Sequence, residues 1–132
     1  MSLDTPALLI TDDDAGFRET LQGVFESRGL RTLQAGDGEE ALRIVGTQDV
    51  HLVLLDVHMP KLTGLETLRL LKRLKATLPC ILLSARLDDL IVEQARLAEA
   101  FSVLAKPVAL GQLTRVVLHA LERTYNWHLG RG

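Results

Sequence analysis

The sequence predicts an α/β fold: a doubly wound five-stranded parallel sheet of order 2-1-3-4-5, with helices on both faces. Three observations predict it. Five short apolar runs recur at fairly even intervals. Segments with helical spacing of apolar residues lie between them. Some of the runs are apolar at every position while another alternates, which separates covered strands from an edge.

The first strand is read at residues 7–11, a run bounded by Pro6 and by Asp12, Asp13 and Asp14. A helix comes next, because Phe17, Leu21, Val24 and Phe25 fall at i, i+4, i+7 and i+8. Gly29 is its stop signal. The second strand is 31–35, where Arg31-Thr32-Leu33-Gln34-Ala35 alternates and is polar. The next helix is expected to stop at Gly46. The third strand, 51–56, runs Leu52-Val53-Leu54-Leu55 straight into Asp56. Leu65, Leu68, Leu71 and Leu74 form the stripe of a third helix, with Pro79 beyond its end. The fourth strand is 79–84 and the fifth 101–106, separated by a fourth helix within 87–98. Leu110, Leu113, Val117 and Leu121 mark the last helix.

Strand alternating with helix five times argues for parallel pairing with helices as crossovers. The runs at 8–10, 52–55 and 81–83 are continuously apolar, as strands covered on both faces must be. The second strand suits an edge. This fits the flavodoxin-like order 2-1-3-4-5. The expected organisation is an extension at 1–6, one domain at 7–122, and a tail at 123–132 that is either a helix end or the start of a linker. Met1-Ser2-Leu3 is excluded from fold reasoning.

Composition narrows the function classes. The chain has 132 residues, 47% hydrophobic and 24% charged, with a formal net charge of −2. One domain with a real core is implied, and neither a nucleic-acid footprint nor a membrane-surface patch. No apolar run approaches the ~20 residues that span a bilayer, and no signal-peptide pattern opens the chain. The single cysteine, Cys80, excludes an internal disulfide and suits a reducing cytosol. Within Cys80-Ile81-Leu82-Leu83 it reads as a buried small hydrophobe.

Ligands of open parallel sheets bind beyond the carboxyl ends of the strands. The prediction places Asp12, Asp13 and Asp14 after strand 1, Asp56 at the end of strand 3, Ser84 at the end of strand 4, and Lys106 with Pro107 at the end of strand 5. Each close pair of carboxylates costs about 4 kcal/mol before screening, at an effective dielectric near 20. A hard divalent cation relieves that repulsion, and an oxygen-rich site selects Mg²⁺ or Mn²⁺ over zinc. A carboxylate is also a competent nucleophile toward phosphorus, giving an aspartyl phosphate. A lysine, a metal and a hydroxyl can then stabilise the phosphoryl oxygens. One helix cap needs one Asp, so Asp14 is read as the cap and the other two as functional. His51, His58, His119 and His128 lack zinc-ligand spacing and are read as non-ligands at the side chain. Arg69, Lys72, Arg73 and Lys75 read as a solvated helix face. Tyr125 and Trp127 suit either packing or a partner surface.

Over roughly residues 7–122 the chain resembles a receiver domain of two-component response regulators. The motifs that carry the resemblance are Leu8-Leu9-Ile10-Thr11-Asp12-Asp13-Asp14, Leu54-Leu55-Asp56-Val57-His58-Met59-Pro60, Gly64, Ser84-Ala85 and Lys106-Pro107. The resemblance implies Asp56 as phospho-acceptor, Asp13 as direct Mg²⁺ ligand, and Asp12 as a ligand through water. It implies that the His58 backbone carbonyl completes the metal shell, that Ser84 bonds the phosphoryl group, that Lys106 pairs with it, and that the Lys106–Pro107 bond is cis. It further implies a cytoplasmic phosphorelay protein that is not a turnover enzyme. Its partners would be a sensor histidine kinase or histidine phosphotransfer protein, and an output domain or downstream protein. The implied output surface, also a possible homodimer face, is helix 4, strand 5 and helix 5.

Two rivals are weighed against this. Aspartate-nucleophile phosphatases of the haloacid-dehalogenase type resemble a D-x-D pattern, but here Asp56 is followed at that spacing by His58, and a cap domain has no room. An unphosphorylated receiver-like binding module is opposed by the complete set of acidic pair, Asp56, Ser84 and Lys106. The sequence departs from the family at Val103, where relatives usually carry Tyr or Phe. His58 and Arg86 stand at variable positions that tune dephosphorylation in the family.

Overall fold

The structure, a computed structural model, describes residues 5–129. Residues 1–4 and 130–132, including Met1-Ser2-Leu3 and the end of the tail, lie outside the described residues. The elements come in strict alternation: β1 (Ala7–Thr11), α1 (Ala15–Glu26), β2 (Arg31–Ala35), α2 (Gly38–Thr47), β3 (Leu52–Asp56), α3 (Gly64–Leu74), β4 (Cys80–Ser84), α4 (Asp89–Leu97), β5 (Ser102–Ala105) and α5 (Leu110–Tyr125). The sheet order is β2-β1-β3-β4-β5 with every pairing parallel.

Successive strand residues point to opposite faces, so each inner strand feeds two cores. Leu8, Ile10, Leu52, Leu54, Ile81 and Leu83 pack with Leu21 and Phe25 of α1 and with Leu113, Val117 and Leu121 of α5. Leu9, Val53, Leu55 and Leu82 pack on the other face, with Ala41 and Val45 of α2, Leu68 and Leu71 of α3 and Ala95 of α4. β1, β3 and β4 are buried at every position, whereas β2 is exposed or half-buried until Ala35. The apolar runs are therefore continuous in three strands and alternating in the edge strand.

Several local expectations are corrected. β3, β4 and β5 each begin one residue later than the apolar runs do, and β5 also ends one residue before Lys106. Gly46 does not stop α2. It lies inside the helix, whose C-cap is Gln48. Gly29 does act as a stop signal: its φ of 87° lets the chain reverse after α1. Leu74 is 54% exposed, because spacing of three residues drifts around a helix of 3.6 per turn. α5 continues to Tyr125, and Asn126 caps it in the left-handed conformation. The Tyr125 hydroxyl donates to the His51 carbonyl at 2.7 Å, and Trp127 joins the core under α5, so both aromatics serve packing. Cys80 is fully buried, and burial pushes its thiol up to about 12. No helix among the described residues is long and apolar enough to cross a membrane.

Candidate functional site

The loops at the carboxyl ends of β1, β3, β4 and β5 converge. Asp12 comes directly after β1 and is 2% exposed; Asp56 ends β3 and is 5% exposed. Asp13 is exposed beside them, and carboxylate oxygens of Asp12, Asp13 and Asp56 all lie within 4.8 Å of one another. Asp14 turns away from this group and caps α1, accepting from Phe17 N–H at 3.2 Å. One aspartate of the three therefore serves the helix and two serve the cluster.

The loop after β1 is held from two sides. Asp12 N–H donates to the Ala35 carbonyl on β2, and Asp14 N–H donates to Asp12 Oδ1 at 2.9 Å. Arg18, one turn into α1, donates from Nη1 to the Asp12 carbonyl at 2.6 Å and from Nε to Gln34 at 3.0 Å. At β3 the fixed point is Gly64, the first residue of α3. A Cβ there would collide with the Asp56 carbonyl oxygen and come within 2.7 Å of Val57 Cα. Gly64 also donates its N–H to the Val57 carbonyl, so α3 starts in direct contact with the strand end that carries Asp56.

Lys106 reaches into the acidic group from the end of β5. Its Nζ lies 2.6 Å from Asp12 Oδ2 and 3.5 Å from Asp56 Oδ1. The ammonium also sits 4.7 Å from the centre of the Phe17 ring, a cation–π contact. The Lys106–Pro107 bond is cis. Burial, and after it the nearby Asp12 charge, pushes the Asp56 carboxyl above its ordinary value, against the Lys106 ammonium and the His58 N–H. Burial alone would lower the Lys106 ammonium, but its hydrogen bond and ion pair with Asp12, and then Asp56, hold it above its ordinary value.

The other expected residues are placed differently. Ser84 is buried at the end of β4, one residue past the Leu83 partner of Asp56. Its hydroxyl bonds Arg86 and the His58 ring and makes no hydrogen bond to the carboxylates or Lys106. His58 donates its backbone N–H to Asp56 Oδ1 at 3.2 Å and turns its exposed ring toward Ser84. The sequence alone does not assign Phe17 or Arg18 to the site. Phe17 counts there only as one member of an apolar stripe, and no local signal ties Arg18 to a carbonyl six residues earlier.

The donor set is entirely carboxylate oxygen around a strand-end carboxylate, with one ammonium. That fits a hard divalent cation and a phosphoryl group and offers nothing to a soft metal.

Comparison with known proteins agrees in kind. The family model described as the response regulator receiver domain matches residues 8–118. The transcriptional activator protein PfeR of Pseudomonas aeruginosa is 39% identical over 117 residues, covering 86% of this chain and 37% of PfeR. Sporulation initiation phosphotransferase F of Bacillus subtilis is 32% identical over 110 residues, covering 83% of this chain and 89% of that protein. Among solved structures, a Burkholderia pseudomallei response regulator with a phosphorylated aspartic acid, calcium ion and citrate superposes with a TM-score of 0.80 at 26% identity, covering 89% of this chain and 70% of that one. The chain spans about a third to a half of the length of the first curated relatives it matches, 37% to 53%.

Proposed function

The chain belongs to the response regulator receiver domain family, and from that premise we propose that it is a phospho-acceptor switch centred on Asp56. The observation that carries this reading is the buried Asp56 carboxylate at a strand end, beside Asp12, Asp13 and the Lys106 ammonium. The donor is a phosphohistidine on a sensor histidine kinase or histidine phosphotransfer protein. One Asp56 oxygen forms a bond to phosphorus while the donor's P–N bond breaks, and the imidazole nitrogen keeps the electron pair and takes a proton. Asp12, Asp13, Asp56 and the His58 carbonyl would hold Mg²⁺, which supplies charge neutralisation for the phosphoryl oxygens. Lys106 is already 3.5 Å from Asp56, so a modest shift of its long side chain pairs it with the added charge. Ser84 provides a further hydrogen bond once its hydroxyl turns toward Asp56.

The receiver unit is assigned to 7–122, with 1–6 as an N-terminal extension and 123–132 as a helix end or the start of a linker. In this reading the protein acts in the cytoplasm and promotes only its own phosphorylation and dephosphorylation. The modified state alters a surface that meets an output domain, a downstream protein or a second copy, and with Val103 on β5 the response across α4, β5 and α5 is muted or rerouted through Ser84 and the loop after β4. Incubation with phosphorylated histidine phosphotransfer protein and Mg²⁺ tests this. Stoichiometric transfer that chelator prevents supports the switch. Steady phosphate release from many small esters would instead support a phosphatase.

A further inference from the structure

Ser84 is occupied elsewhere. Its hydroxyl donates to the Arg86 carbonyl at 2.5 Å and accepts from the Arg86 N–H at 3.2 Å. The third neighbour is His58 Nε2, also at 3.2 Å. A serine hydroxyl has one proton and two lone pairs. With the proton on Arg86 and one lone pair taken by the Arg86 N–H, the remaining lone pair accepts from a His58 ring whose Nε2 carries hydrogen. The hydroxyl is then saturated in an orientation that gives nothing to Asp56. Ser84 itself is fully buried, so its hydroxyl is held by these three partners. His58 also donates its backbone N–H to Asp56 Oδ1 at 3.2 Å. One residue thus touches the acceptor carboxylate through its backbone and holds the hydroxyl through its side chain.

We propose that His58 is a positioning residue that latches Ser84 in the unphosphorylated orientation and so sets how readily Asp56 accepts a tetrahedral phosphoryl-like anion. The inference rests on the phospho-acceptor reading of Asp56. It assigns the His58 ring a role distinct from that of its backbone carbonyl, and it predicts that loosening the ring's grip favours the occupied state.

The probe is beryllofluoride with Mg²⁺, titrated at one fixed pH and monitored by amide chemical shifts. The chains are wild type, His58→Ala and His58→Gln, each also with Ser84→Ala. A glutamine carries its amide nitrogen the same number of bonds from the backbone as the histidine Nε2, so it restores the donor without the ring. Loss of one hydrogen bond in the unbound state should tighten binding about two- to tenfold in His58→Ala. His58→Gln should return to the wild-type affinity, and in the Ser84→Ala background His58→Ala should have no effect. Unchanged or weaker binding by His58→Ala, or an equal effect with and without Ser84, would overturn the latch while leaving the acceptor reading intact. No binding by wild type, or equal binding by Asp56→Asn, would overturn the acceptor reading and the latch together.

Discussion

At the scale of single residues, the site stores unfavourable electrostatics. Asp56 is buried against Asp12, and both effects disfavour its charge. A carboxyl whose ordinary value is raised on folding stabilises the protein only below that range, and the contribution is lost as pH rises through the folded value. At neutral pH the ionised Asp56 is therefore a net cost. Asp56→Asn should raise the melting temperature by a few degrees, on the order of 1 kcal/mol, while removing phosphorylation. A lower melting temperature in a differential scan would contradict this. His51 works in the opposite direction. Its Nδ1 accepts from Ala7 N–H at 2.9 Å, its own backbone N–H donates to the Ala7 carbonyl, and its ring meets Tyr125 edge-on at 5.4 Å. Burial, opposed by Asp49 and aided by Lys75 and Arg31, lowers its value below the ordinary 6.5. Protonation removes the acceptor for Ala7, so this contribution is present above about pH 6.5 and is lost as pH falls through the folded value. His51→Asn keeps an acceptor at the same bond count and cannot titrate. The difference in urea midpoint between wild type and His51→Asn should therefore move against wild type on going from about pH 7.5 to about 5.5.

At the scale of elements, two glycines make opposite predictions. Gly64 starts α3 against the Asp56 carbonyl, where a methyl group meets backbone that cannot yield. Gly64→Ala should cost about 1–3 kcal/mol and slow the proposed phosphorylation, because the shift falls on the strand end that carries Asp56. Gly46 lies inside α2 with nothing within 4 Å of a Cβ, so Gly46→Ala should stabilise by about 0.5–1 kcal/mol. Chemical denaturation of the two variants checks both signs. The α4, β5 and α5 surface carries a third prediction. Val103 is half-buried on β5, beside a shallow cavity of about 250 Å³ that Val92, Ala95, Arg96 and Phe101 also line. A short β-branched side chain has one stiff torsion and cannot swing as a ring does. Beryllofluoride should therefore shift amides mainly in the loop after β4 in wild type, and Val103→Tyr should extend the shifts across α4, β5 and α5. Large wild-type shifts across that surface, with no gain in Val103→Tyr, would contradict it.

At the scale of the whole molecule, the topology is legible in the sequence because burial writes itself into composition. Strands covered on both faces must be apolar at every position, and 8–10, 52–55 and 81–83 are. The strand-end residues are legible once that order is in hand, since parallel strands present their carboxyl ends together. Asp14 is separable from its neighbours because a helix start needs one cap and no more. The rest depends on partners distant in sequence. Gly46 carries no local mark that the helix runs on past it to Thr47, Arg18 meets Asp12 only through the fold, and Trp127 is buried only because α5 returns it to the α1 face. The orientation of the Ser84 hydroxyl is set by Arg86 and the His58 ring, which spacing cannot reveal. The proposed phosphorylation of Asp56 unites these scales, and mapping the modified residue tests it most directly. After treatment with a small phosphodonor and Mg²⁺, borohydride reduction converts an acyl phosphate to the alcohol, which peptide mass spectrometry then locates. A single reduced residue at position 56, absent from Asp56→Asn and from hydroxylamine-treated protein, is the predicted result; reduction at another position, or undiminished labelling of Asp56→Asn, would contradict it.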